Sequence, residues 1–217
     1  MNKIIFEIKN IYKKKRDEIN KRLEQFRNIW QSKNEQAALQ ELIFCIFTPQ
    51  SKATNCWNCV KKLSENKLLF SNNPDDLLKL PEINYVRFKN KKAIFAIEAK
   101  NKFIKDNKIV LLKFLTGFKN ALEMREYLVT NIKGYGYKEA SHFLRNIGFV
   151  NDVAILDRHI LKNLKLMRVI KTIPKSLTKK KYLLIEEQMQ RFSKKIKIPM
   201  AALDLILWYK ETGFFFK

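Results

Sequence analysis

Apolar residues recur along most of this chain at the three- and four-residue spacing of a helix face. Leu39, Leu42, Ile43, Ile46 and Phe47 form one stripe, and Leu122, Tyr127, Leu128 and Ile132 another. Phe143, Leu144 and Ile147 continue the pattern, followed by Ile155, Ile160, Leu161 and Leu164. Leu183, Leu184, Met189 and Phe192 make a further stripe, and Ala202, Leu203, Leu205, Ile206 and Trp208 the last. Strand-like alternation is scarce. Pro49, Pro74, Pro81, Pro174 and Pro199 fall between the stripes, where a missing N–H does no harm. The pattern predicts an all-α fold.

With 217 residues, the chain can bury a substantial core. Five glycines and five prolines supply few of the turns an all-β design needs. No apolar run reaches the length of a membrane span, and the N-terminus lacks a signal-type apolar region. Three cysteines, Cys45, Cys56 and Cys59, point to a reducing cytoplasm rather than a disulfide framework. Cys56 and Cys59 form a C-x2-C without the second pair that a zinc or iron–sulfur site requires, so they read as small buried hydrophobes. No metal and no cofactor is expected.

Charge changes the picture. Lys and Arg total 44 against 21 Asp and Glu, a net charge of +23. Such an excess favours a polyanionic partner, because Lys/Arg contacts to phosphates release counterions and steer association. The basic pieces Lys13–Arg16, Lys89–Lys92 and Lys179–Lys181 are short and interrupted by apolar residues, as expected of solvated helix faces and loops.

The most informative stretch is IKGYGYKEASHFLRNIG at 132–148. A helix over 123–132 stops at Gly134, and a second runs from Tyr137 to about Asn146 before Gly148. Gly134 and Gly136 then join two helices and leave backbone N–H groups at the second helix's start, donors suited to a phosphate. A plain helical hairpin would use the same glycines for geometry alone. Lys138 follows the turn, and Asp157 stands nineteen residues later at the head of the helical run DRHILKNL.

Lysine after Gly-x-Gly, with the aspartate one helix and loop further on, resembles the signature of the helix-hairpin-helix DNA glycosylase superfamily. FTPQSKA at 47–53, the block from hairpin to Asp157, and LDLILWYKETGFFFK at the end resemble its archaeal-type 8-oxoguanine DNA glycosylase/AP lyases. The resemblance implies a two-subdomain helical fold with an interdomain cleft, acting on double-stranded DNA that contains 8-oxoguanine. Base release by a lysine Schiff base would be followed by β-elimination, which cuts the strand 3′ to the abasic sugar. Lys138 would be the nucleophile. Asp157 would stabilise the oxocarbenium-like sugar, although an N-cap is the ordinary use of Asp at a helix start.

The resemblance also assigns binding roles. His159 would contact a phosphate near the extruded nucleotide, while His142 reads as a packing or surface residue. Lys217, with its carboxylate, would help separate 8-oxoguanine from guanine, since the oxidised base carries a proton at N7 where guanine has a lone pair. Trp208 could stack on the base or simply continue the helix core. Gln50, after Pro49, would fill the gap left by the extruded base and hydrogen-bond the orphaned cytosine.

A central subdomain over 35–148 would carry the hairpin, with 1–34 and 149–217 forming the second. The expected molecule is a cytoplasmic monomer with no membrane contact. Two rivals stand beside the leading function. One is a related glycosylase for oxidised pyrimidines or mismatched adenine, and the other a non-enzymatic DNA-binding module.

Overall fold

The computed structural model describes residues 3–151 and 153–217. Its helices are α1 (Lys3–Lys14), α2 (Arg16–Gln31), α3 (Glu35–Phe47), α4 (Ala53–Glu65), α5 (Pro74–Leu78) and α6 (Lys89–Asn101). A two-stranded ribbon follows, β1 (Ile104–Lys105) with β2 (Lys108–Ile109). Then come α7 (Leu111–Leu115), α8 (Ala121–Asn131), α9 (Tyr137–Asn146), α10 (Arg158–Leu166), α11 (Lys179–Ile196) and α12 (Met200–Thr212). No described helix is long and apolar enough to cross a membrane.

Contacts divide the chain into two compact units, one of Met1–Arg27 with Leu144–Lys217 and one of Asn28–Phe143. In the latter, α3 is the central helix, buried from Ala38 through Phe47 except for Gln40. It packs against α4, α6 and α7. Asn34 caps its start by accepting the Ala37 N–H at 2.9 Å, a use of Asn that frees one orphan amide from solvent. Pro74 stands in the first turn of α5, where its missing N–H costs nothing.

In the other unit α12 is the buried helix, with every residue from Met200 to Leu207 in the core. It packs against α1, α10 and α11. The buried Arg145 guanidinium lies 3.3 Å from the Asp204 carboxylate and stacks over Phe26 at 4.7 Å.

The helical pattern holds, with three corrections. Asp106 and Asn107 both have positive φ, and this tight turn closes the small ribbon from Lys-rich residues that show no alternation. The buried face of α11 is Tyr182, Ile185, Met189, Ser193 and Ile196, whereas Leu184 is 53 % exposed. In α8 the core face is Ala121, Met124, Arg125 and Leu128, and Leu122 is 49 % exposed. In both helices a polar or aromatic residue, Arg125 or Tyr182, takes a core position that an apolar count passes over.

Candidate active site

Helix α8 ends at Asn131, and Gly134 carries the chain through φ 87°. The backbone conformation calls for glycine, and a Cβ at Gly134 would also stand 3.0 Å from the Phe95 ring, a tight contact. Tyr135 is buried, and its hydroxyl donates to the Leu42 carbonyl at 2.9 Å, fixing the turn to α3. Gly136 N–H donates to Glu139 Oε2 at 3.1 Å. A glutamate three residues into a helix commonly closes its first turn in this way. The Gly136 amide is therefore engaged within the first turn and is not one of the open donors at this helix start.

Lys138 follows in the first turn of α9. Its Nζ lies 3.6 Å from Glu139 Oε1, and its side chain is about one-quarter exposed. Its positive charge reaches Cys56 and Lys92, lowering the proton affinity of each, although burial holds Cys56 up at about 11. The lysine thus stands on a well-anchored helix start, partly covered but open to solvent.

Asp157 caps α10. Its Oδ1 accepts the N–H groups of His159 and Ile160, both at 2.8 Å. Among the described residues Oδ2 has no partner. One oxygen sets the helix start while the other is available, so the cap and a chemical role do not compete for the same atom.

His159 is the second residue of that helix, with its Nδ1 3.7 Å from Glu211 Oε2 and its Nε2 accepting from Arg158 Nε at 3.2 Å. Its ring meets Trp208 edge to face, centroids 5.5 Å apart. Glu211 also accepts from Lys162 Nζ and Asn163 Nδ2, both at 2.9 Å, and its carboxyl is held below the usual range, chiefly by the Lys162 hydrogen bond. Trp208 is half-buried, and its Nε1 is enclosed without a hydrogen-bond partner among the described residues. Gly213, at φ 83°, turns the tail back so that Phe215 stacks on Tyr209 with centroids 4.7 Å apart. Lys217 is half-buried beyond it.

The sequence profile for 8-oxoguanine DNA glycosylase matches residues 19–198. The chain belongs to this family. It is 45 % identical over 216 residues to an 8-oxoguanine DNA glycosylase/AP lyase of Fusobacterium nucleatum, covering all of this chain and 99 % of the relative. To the enzyme of that name from Methanocaldococcus jannaschii it is 39 % identical over 214 residues, with 97 % and 96 % covered. Among solved structures it resembles the M. jannaschii 8-oxoguanine glycosylase/lyase in complex with a 15mer DNA containing 8-oxoguanine, with a TM-score of 0.86, 33 % identity and 99 % of both chains covered. The 8-oxoguanine DNA glycosylase of Thermotoga maritima gives a TM-score of 0.84 at 30 % identity over the whole of both chains. The fold is accordingly the helix-hairpin-helix fold of this glycosylase family.

The expected site residues fall into separate local groups. Gly134, Gly136 and Lys138 share the hairpin, and Gln50 is exposed at φ 57° in the turn after α3. Asp157, His159 and Trp208 gather around α10 and α12. His142 is a packing residue, edge to face with Phe44 at 5.4 Å. Cys56 and Cys59 are buried thiols in α4, pushed by burial to about 11 and about 12. No described group of three or more His, Cys, Asp or Glu side chains is arranged to hold a metal ion.

Sequence reasoning missed Glu139, Glu211 and Lys92. Glu139 follows Lys138 directly, and its place three residues after Gly136 is a capping signal that could have revealed it. The basic run Lys89–Lys92 predicts a solvated face or loop, yet Lys92 is 6 % exposed. Its short-range sequence context gives no sign of that.

Proposed function

We propose that this glycosylase removes 8-oxoguanine from double-stranded DNA and cuts the strand at the resulting abasic site. Lys138 is the nucleophile. Its neutral amine attacks C1′ of the lesion nucleotide, the N-glycosidic bond breaks, and the departing base takes up a proton. The ring-opened sugar remains joined to Nζ as a Schiff base. Loss of a C2′ proton then expels the 3′ phosphate by β-elimination. Asp157 Oδ2 supplies negative charge against the oxocarbenium-like sugar while the glycosidic bond lengthens.

The base must leave the stack for this chemistry, at a cost of about a few kcal/mol. Gln50 takes its place in the duplex, and His159 contacts the neighbouring backbone. Trp208 offers its ring to the extruded base, and Lys217 distinguishes 8-oxoguanine from guanine. The turn at Gly134 and Gly136 lets the DNA backbone approach α9. The observation that carries the reading is Lys138 in the first turn after a glycine hairpin, in a chain that matches the family over most of its length.

Borohydride reduction in the presence of an 8-oxoguanine duplex tests it. A covalent complex that forms with 8-oxoguanine opposite cytosine, and disappears in Lys138→Gln, is expected. Undiminished trapping in that variant excludes Lys138 as the nucleophile. A chain that binds DNA without any trapping is a non-enzymatic binding module. Stronger excision of an oxidised pyrimidine or mismatched adenine moves the substrate to another base.

A further inference from the structure

The ammonium of Lys92 is used up entirely on one turn. Its Nζ donates to the carbonyls of Phe47 at 2.6 Å and Pro49 at 2.7 Å, and to Ser51 Oγ at 3.3 Å. An ammonium has three N–H groups, so each has an acceptor. Phe47 O also accepts from Cys56 Sγ at 3.3 Å. Ser51 Oγ accepts the Arg87 N–H at 2.9 Å, which joins this turn to the one before α6. Between Pro49 and Ser51 stands Gln50, exposed and at φ 57°.

A side chain held at positive φ costs about 1–2 kcal/mol and persists only where the surroundings impose it. The end of α3 needs one partner for its last orphan carbonyl, and Phe47 O would serve that purpose alone. The other two contacts go to Pro49 and Ser51, the residues on either side of Gln50. Burial pushes the Lys92 ammonium down to about 8, aided by the charges of Lys138 and Arg87 and opposed by Cys56 and Glu139. At neutral pH the group is therefore still mostly an ammonium with all three donors.

We propose that Lys92 is a positioning residue for base extrusion, fixing the Thr48–Ser51 turn in the shape that presents Gln50 to the DNA. The proposal rests on the reading of Gln50 as the residue that fills the vacated stack. It assigns Lys92 no contact with DNA, substrate or reacting atoms.

The test uses the full chain with Lys92→Met, which keeps side-chain length and removes the donors. Three readouts separate positioning from general support. 2-Aminopurine beside the lesion in an 8-oxoguanine duplex reports extrusion as a rise in fluorescence. Hydrogen exchange at the Arg87 amide reports the turn, and borohydride trapping on a single-stranded abasic oligonucleotide reports Lys138 without a stack to open. Lys92→Met is expected to cut the extrusion rate about tenfold, speed Arg87 exchange, and leave trapping on the single strand near the native level. Combined with Gln50→Ala, it should add nothing to the extrusion defect of Gln50→Ala alone.

Native extrusion in Lys92→Met, or defects that multiply in the double variant, overturn the proposal. Should Lys92→Met fail to fold, Ser51→Ala removes one Lys92 acceptor and the Arg87 bond together. A smaller extrusion loss in the same direction supports the proposal, and native extrusion with native Arg87 exchange overturns it. A full signal in Gln50→Ala beside a lost signal in Lys92→Met rejects the Gln50 role while leaving Lys92 as the anchor of the turn.

Discussion

Lys138 Nζ lies 3.6 Å from the carboxylate of Glu139, the next residue, whose other oxygen closes the first turn of α9 on Gly136. One side chain thus serves both the helix start and the proposed nucleophile. Glu139→Gln keeps an oxygen for the Gly136 amide and removes a negative charge beside the proposed DNA-facing hairpin. Its melting temperature should stay near native, and duplex affinity, read by fluorescence anisotropy at low salt, should rise modestly. Glu139→Ala should lose about 1 kcal/mol of stability in urea titration through the missing cap.

Asp157 allows a similar separation. Asn is as good an N-cap as Asp, so Asp157→Asn should fold with native stability while single-turnover base release falls by orders of magnitude. Asp157→Ala should show the same chemical defect plus about 1 kcal/mol of lost stability. Duplex binding should be largely spared in both. Near-native excision by Asp157→Asn would reduce the residue to its cap.

Removal of Lys217 should raise activity on guanine relative to 8-oxoguanine by about tenfold. Competition between the two bases in otherwise identical duplexes measures the ratio. An unchanged ratio rejects the role in discrimination.

Stability should depend on alkaline pH with two opposed signs. Lys92 has a folded value near 8 against an ordinary 10.5, so between these values the unfolded chain binds more protons and stability rises with pH. Cys56 and Cys59 behave in the opposite sense. Burial raises them from 9.0 to about 11 and about 12, the folded chain holds more protons, and stability falls with pH above 9. Urea titrations at pH 8, 9 and 10 should therefore show Lys92→Met lacking the rising contribution of the native chain. Parallel curves for the two proteins would mean that Lys92 is not titrating from its buried site.

Much of this was legible in the sequence, and what escaped it has a common cause. Helical periodicity fixed the fold class, and the resemblance of the hairpin block to a known family put Lys138 and Asp157 forward as site residues, because both signals are local. Faces of individual helices were read less well. Arg125 and Tyr182 are buried by partners that no short window contains, and the Tyr182 hydroxyl donates to the Ala154 carbonyl, 28 residues away in sequence. Lys92 was hidden for the same reason. Its acceptors at Phe47, Pro49 and Ser51 lie more than forty residues earlier, and only the packing of α6 on α3 brings them within reach. The ribbon at 104–109 was missed because two-residue strands leave no periodicity to detect.

The reversal at Gly213 separates two kinds of fragility. The stack of Phe215 on Tyr209 closes a loop of only a few residues, in which Gly213 N–H donates to Tyr209 O, the Thr212 hydroxyl donates to Trp208 O and Phe214 O, and Phe214 meets Phe216 edge to face. A short terminal element should open at a lower free energy than the buried core that carries Met200–Leu207. Warmed or mildly denatured, the enzyme should become less choosy before it becomes inactive. Fidelity would then have a lower melting point than catalysis, and guanine excision measured across a temperature ramp would reveal it as a rise ahead of the loss of strand cleavage.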